Sequence, residues 1–216
     1  YVALTRFAAS KMIKGGIPRE KIAVKPNFLV NEPAVGTGAG GYALYVGRLK
    51  AEKGVTTLVN AWQNIKDIPL IMIGDGELRS ELEAMVNEKK LNVRFLGMRE
   101  QRVVYEYIGN ALMLIAPSIC YEGFPMVVLE AYASGTPVIA SQIGSLGEIV
   151  TDNVTGLTFQ VGNQQDLARK VQAIVFDKGT LLALRKGARR EYEQQYSMQS
   201  NLNASRRIYE EALASQ

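Results

Sequence analysis

Apolar residues fall into two alternating patterns along the chain. Runs at 42–46, 69–73, 93–96, 111–116, 137–140 and 157–161 read as buried strands, and apart from Arg94, Thr158 and Gln160 they are apolar on both faces rather than at every second position. Short runs of that kind are expected of parallel strands covered by helices on both sides. Between them, apolar residues recur at three- and four-residue spacing. Val55, Leu58 and Trp62 share one helical face, Leu78, Leu82 and Met85 a second, and Val104, Tyr107 and Ile108 a third. The stretch 126–133 is apolar almost all round, which suits a central buried helix. Leu167, Val171, Ile174 and Val175 mark a further amphipathic helix, and 181–195 and 199–214 read as helices at the tail.

Strand–helix alternation repeated six times predicts an α/β fold. We expect a Rossmann-like, doubly wound parallel six-stranded sheet with extra C-terminal helices. Two βαβαβ halves give the strand order 3-2-1-4-5-6. The proline- and glycine-rich stretch 26–41 reads as a linker, setting 1–25 apart from a domain at 42–195, with 196–216 as a terminal helix. Gly36, Gly38 and Gly41 match the dinucleotide spacing G-x-G-x-x-G. That fingerprint needs a strand before it and a helix after it. Here a strand follows instead, so the glycines read as the end of the linker and NAD binding is rejected.

Composition narrows the chemistry. The 216 residues are 47% apolar and carry a net charge of +4, a mild surplus that suits an anionic ligand and does not require nucleic acid. There is no histidine and one cysteine, Cys120. A Ser-His-Asp or Cys-His mechanism within this chain is excluded, and a zinc site is not expected. Asp75-Gly76-Glu77 mimics a D-x-D metal site, but it follows a strand and opens a helix, so turn and N-cap chemistry is expected. No apolar run is long enough to span a membrane. The chain starts at Tyr1 within an apolar stretch and reads as a fragment of a longer protein.

An open α/β sheet binds ligands beyond the carboxyl ends of its strands, at the switch point between strands 1 and 4. The segments there are "GRLKAEKG" at 47–54 and "PSICYEGFPMVVLEA" at 117–131. Gly47 permits close backbone approach, and Arg48 and Lys53 can reach a diphosphate. Gly123, Phe124 and Pro125 lead into the apolar helix, with proline suited to its first position. The amides of Met126, Val127 and Val128 are then expected to point at an anion. Glu130 lies within the most apolar helix, where a carboxylate is costly unless it accepts hydrogen bonds, and a ribose diol is a fitting donor. Glu122 lies one loop away, just before the helix.

Glu122 and Glu130, with seven residues between them in "EGFPMVVLEAYASGTPVIAS", resemble the E-x7-E motif of retaining glycosyltransferases of family 4, the group 1 glycosyl transferases. "YVGRLKAEKG", "IGDGELRSELE" and "FLG" are similar to the same family in the same order. The resemblance covers roughly 25–177. It implies the C-terminal half of a GT-B fold, which holds a nucleotide-sugar donor, with 1–25 as the end of an N-terminal acceptor domain. By the same resemblance, Arg48 and Lys53 hold the diphosphate, Glu130 the ribose, and Glu122 with the backbone of Gly123 to Met126 the sugar. The loop at Met98 and Arg99 reads the base, with UDP favoured. The resemblance implies no metal, no further cofactor, a glycan or lipid-linked acceptor, and a cytoplasmic site with peripheral contact at the inner membrane face through the other domain. An epimerase or phosphorylase of the same fold, or a non-catalytic nucleotide-binding module, are the alternatives.

Overall fold

The computed structural model describes residues 1–214, so the last two residues of the tail predicted at 196–216 lie outside the described chain. A two-stranded parallel ribbon opens it: β1 (Val2–Ala3) and β2 (Ala23–Val24), joined through helix α1 (Arg6–Lys14). The main sheet follows, as β3 (Ala43–Val46), β4 (Leu70–Ile73), β5 (Val93–Gly97), β6 (Met113–Ala116), β7 (Val138–Ser141) and β8 (Gly156–Phe159). Its order is β5-β4-β3-β6-β7-β8 and every pair is parallel, which is the doubly wound order read from the sequence.

The connecting helices are α2 (Val55–Ala61), α3 (Arg79–Glu88), α4 (Gln101–Asn110), α5 (Met126–Ala133), α6 (Gly144–Ile149) and α7 (Gln164–Phe176), with α8 (Lys178–Glu191) and α9 (Met198–Ala214) after the last strand. They cover both faces of the sheet. Ala43, Tyr45, Leu70 and Met72 pack with Leu58, Trp62, Leu82 and Val171 on one face. Leu44, Ile73 and Leu114 pack with Ile108, Leu129, Tyr132 and Leu146 on the other. Successive residues of the central strands thus alternate between two cores, which explains why those runs are apolar throughout, whereas the edge strands β5 and β8 carry Arg94 and Thr158. Trp62 is fully buried, and its indole N–H donates to the Ile68 carbonyl at 3.1 Å, so burial leaves no polar group unpaired.

Three local readings are corrected. The glycines of the expected linker are not a loose spacer. The N–H groups of Gly36, Gly38 and Gly40 donate to the carbonyls of Ser134, Gly109 and Asn110 at 2.9, 3.0 and 2.8 Å. A Cβ on Gly36 would collide with the Gly109 backbone, so these glycines serve close approach of chain to chain. The predicted helix at 181–195 begins earlier, as α8, and its end passes into a π turn at Tyr192–Tyr196. The Asp75 carboxylate takes the Gly76 N–H at 2.8 Å and Arg79 at 2.9 Å, as turn chemistry requires, but the residue at the start of α3 is Leu78 and Asp75 does not cap it. Among the described residues, no helix is long and apolar enough to cross a membrane.

Candidate active site

Two loops meet beyond the carboxyl ends of β3 and β6, where the winding of the sheet reverses. After β3 the chain makes a turn at Ala51–Lys53 and passes through Gly54 at φ +67°. A Cβ on Gly54 would collide with the Pro117 carbonyl oxygen of the second loop, so only glycine lets the two loops touch there. The Ile119 N–H donates to the Glu52 carbonyl at 3.0 Å and ties them together.

This contact brings Lys53 to Glu122, with Nζ 2.7 Å from Oε1. Ser118 Oγ donates to the same oxygen at 2.5 Å. The two charged side chains are only 22% and 17% exposed, so the pair is largely sheltered from screening. Tyr45 lies beneath. Burial, with Glu122 adding, pushes its phenol far above its ordinary range, and the neutral hydroxyl donates to the Arg48 carbonyl at 2.7 Å. A cavity of about 180 Å³ opens here, lined among others by Gly47, Lys53, Ser118, Glu122, Phe124, Pro125, Met126 and Val127.

Helix α5 starts at the cavity wall. The sequence reading put Pro125 at the first helical position, but its extended backbone (ψ 98°) makes it the N-cap, and Val128 is not free to bind an anion as expected, because its N–H donates to the Pro125 carbonyl at 3.0 Å. The Met126 and Val127 N–H groups remain without an acceptor among the described residues. A helix start with unspent N–H groups carries partial positive charge.

The remaining predicted residues do not line this cavity. Arg48 has a 66% exposed side chain and a loose contact of 3.9 Å with Glu52, so little holds it in place. Met98 is 77% exposed, and Arg99 donates to the Met98 carbonyl at 3.0 Å, occupying part of the backbone assigned to the base. Glu130 is half-buried. Desolvation raises its carboxyl above the usual range, and one hydrogen bond, from Gln101 Nε2 at 3.0 Å, offsets this in part. Gly123 is exposed at the loop tip, and its carbonyl accepts from Ser145 at 3.2 Å. Cys120 is a free thiol beside the cluster.

The chain matches the model of the family "Glycosyl transferases group 1" over residues 38–191. The chain belongs to the group 1 glycosyl transferase family. An uncharacterized glycosyltransferase of Methanocaldococcus jannaschii is 32% identical over 189 residues, covering 87% of this chain and 52% of that protein. A glycogen synthase of Mycobacterium tuberculosis is 28% identical over 204 residues, covering 92% of this chain and 47% of that one. This chain therefore spans about half the length of the curated relatives it matches. The crystal structure of Anabaena HepE in complex with UDP-glucose matches its fold with a TM-score of 0.84 at 22% identity, over 100% of this chain and 63% of that one. The architecture is that of GT-B glycosyltransferases.

Three groups at this site are not announced by the sequence. Ser118 shares the Glu122 oxygen, Gln101 holds Glu130, and Ser145 reaches the Gly123 carbonyl. Ser118 lies inside the quoted "PSICYEGFP" segment, four residues before Glu122, and its position alone could have nominated it. Gln101 and Ser145 come from the first turns of α4 and α6, and no local spacing announces them.

Proposed function

We propose that this chain is the donor-binding part of a retaining, metal-independent hexosyltransferase that takes its sugar from a UDP-sugar. The observation that carries the reading is the cluster of Lys53, Ser118 and Glu122 beside two unspent amides of α5, at the switch point of the sheet. Membership of the group 1 glycosyl transferases supports it, as do the UDP and UDP-glucose named with HepE.

The ammonium of Lys53 has three donors and spends one on Glu122, leaving two for phosphate oxygens. Arg48, unencumbered at the rim, swings in as a second cation. Glu122 takes both its partners on Oε1, which leaves Oε2 to accept from a sugar hydroxyl. Glu130 accepts from the ribose, which relieves the cost of its burial. The loop at Met98 and Arg99 reads the base. When the bond between the anomeric carbon and the diphosphate oxygen breaks, negative charge gathers on the leaving diphosphate. Arg48, Lys53 and the two amides then bind it more strongly than they bind the intact donor, which lowers the barrier. The acceptor, a saccharide or a lipid-linked glycan, is held by a second domain, to which 1–25 and α9 are linked.

Calorimetric titration with UDP and UDP-glucose, each with and without EDTA, tests the reading. Binding that survives the chelator is expected. Loss of one charge-assisted hydrogen bond costs about 1.5–3 kcal/mol, so Arg48→Ala or Lys53→Ala should weaken UDP roughly tenfold to a hundredfold. Binding of neither probe, or only with a divalent cation present, contradicts it.

A further inference from the structure

The loop that carries Glu122 is held on both flanks by the start of α1. On one side the Tyr121 ring meets the Phe7 ring edge-on, with centroids 4.7 Å apart at 60°. Lys11 Nζ stands 4.8 Å from the Tyr121 ring centre and 5.2 Å from that of Phe7. Gly144 sits under this ring pair at φ +51°, and a Cβ there would lie 2.9 Å from the Tyr121 ring and 3.2 Å from the Phe7 ring. The two rings close over the start of α6 because residue 144 has no side chain.

On the other side runs a chain of hydrogen bonds. The Ala8 N–H donates to Thr5 Oγ1 at 3.0 Å, Thr5 Oγ1 is 3.1 Å from Ser145 Oγ, and Ser145 Oγ donates to the Gly123 carbonyl at 3.2 Å. Ser145 has one hydroxyl proton and spends it on Gly123, so Thr5 is the donor in the hydroxyl pair. The chain therefore has one direction, from the first turn of α1 to the backbone beside Glu122. Both hydroxyl residues are buried, where such bonds reinforce one another. Glu148 of α6 fixes the other end. Its two oxygens accept the Arg6 and Phe7 N–H groups at 2.8 and 2.6 Å, satisfying two of the orphan donors of α1.

We propose that Thr5, Phe7 and Ser145 are positioning residues for the donor sugar. They pin residues 121 and 123 and so set the direction of the Glu122 carboxylate between them. This rests on the reading of Glu122 as a sugar contact. It also means that any movement of α1 is felt at that carboxylate.

The test uses the intact protein with Phe7→Ala, Phe7→Tyr and Ser145→Ala, read in two ways. Amide hydrogen exchange without ligand reports on the loop itself. Phe7→Ala and Ser145→Ala should speed exchange at 118–124 about fivefold to tenfold, the effect of roughly one neutral hydrogen bond, and leave β6 and α5 protected. Phe7→Tyr, which keeps the ring, should restore the wild-type rate. Titration then compares UDP with UDP-glucose. The two loosening variants should lose UDP-glucose affinity relative to UDP and keep UDP affinity itself. Unchanged loop exchange in both variants overturns the proposal, and so does faster exchange with an unchanged UDP-glucose to UDP ratio. If wild type binds neither probe, the proposed function fails, and the brace stands or falls on exchange alone.

Discussion

The Lys53–Glu122 pair is strong enough to be measured without any ligand. Fully exposed pairs contribute about 0–1 kcal/mol. Removing one partner of a fully buried pair costs about 3–5 kcal/mol, because the other charge is left stranded. With exposures of 22% and 17% and a third group, Ser118, on the same oxygen, this pair lies between those limits. Lys53→Met leaves the carboxylate with Ser118 alone. Glu122→Gln leaves the ammonium facing a neutral amide. Each single variant should lose about 2 kcal/mol, and a chain of this size then melts roughly 4–8 °C lower. The double variant strands neither charge. It should therefore be more stable than the sum of the single losses implies, by about 1–2 kcal/mol. Urea unfolding of the four proteins, with matching slopes, supplies the cycle. Losses that add to within about 0.5 kcal/mol would show that the two groups are not coupled, and the geometry of the cluster would be wrong.

Three further outcomes are expected. Glu130 has a folded-state pKa raised by burial above its ordinary value of 4.5, so the folded state binds its proton at higher pH than the unfolded state does. Stability should therefore rise as pH falls through the window between the raised value and 4.5, and melting curves of Glu130→Gln across that window should lack this rise. Gly54→Ala places a Cβ against the Pro117 carbonyl at a positive φ, and should lower stability by more than about 1 kcal/mol in urea titration and weaken UDP binding, because both site loops shift. Gln101→Ala removes the one side-chain donor to Glu130 among the described residues and should change UDP affinity by about fivefold or less, measured by calorimetry, since the ribose replaces that donor on binding.

Much of the fold was legible because strand and helix periods differ so plainly here. Two-sided apolar runs marked four of the six strands, the runs at β5 and β8 being broken by Arg94 and by Thr158 and Gln160, and the alternation of all six with amphipathic segments dictated the order found. Helix α6 escaped notice because Gly144 and Gly147 dilute its apolar signal. The ribbon of β1 and β2 is too short to show a period. The glycines at 36–41 looked like a spacer because composition reports flexibility, whereas their amides are spent on Ser134, Gly109 and Asn110. In the site, Lys53 and Glu122 were visible because the switch point follows from strand order alone. Their direct pairing was not, since it depends on Gly54 and Pro117 touching across the loops. Gln101, Ser145 and Thr5 act across long stretches of chain, and only the folded packing brings them to the Glu130 carboxylate, the Gly123 carbonyl and the Ser145 hydroxyl respectively.

The division of labour between the two glutamates is the most direct test of the donor site. Glu130 is assigned to the ribose, which UDP and UDP-glucose share, and Glu122 to the sugar, which UDP lacks. Calorimetry of Glu122→Ala and Glu130→Ala with both ligands, beside their ligand-free melting curves, separates the roles. Glu130→Ala should weaken both ligands alike, by about 1.5–3 kcal/mol for lost charge-assisted bonds. Glu122→Ala should leave UDP nearly unchanged and remove the added affinity of UDP-glucose. Equal losses of UDP affinity in the two variants would contradict the assignment.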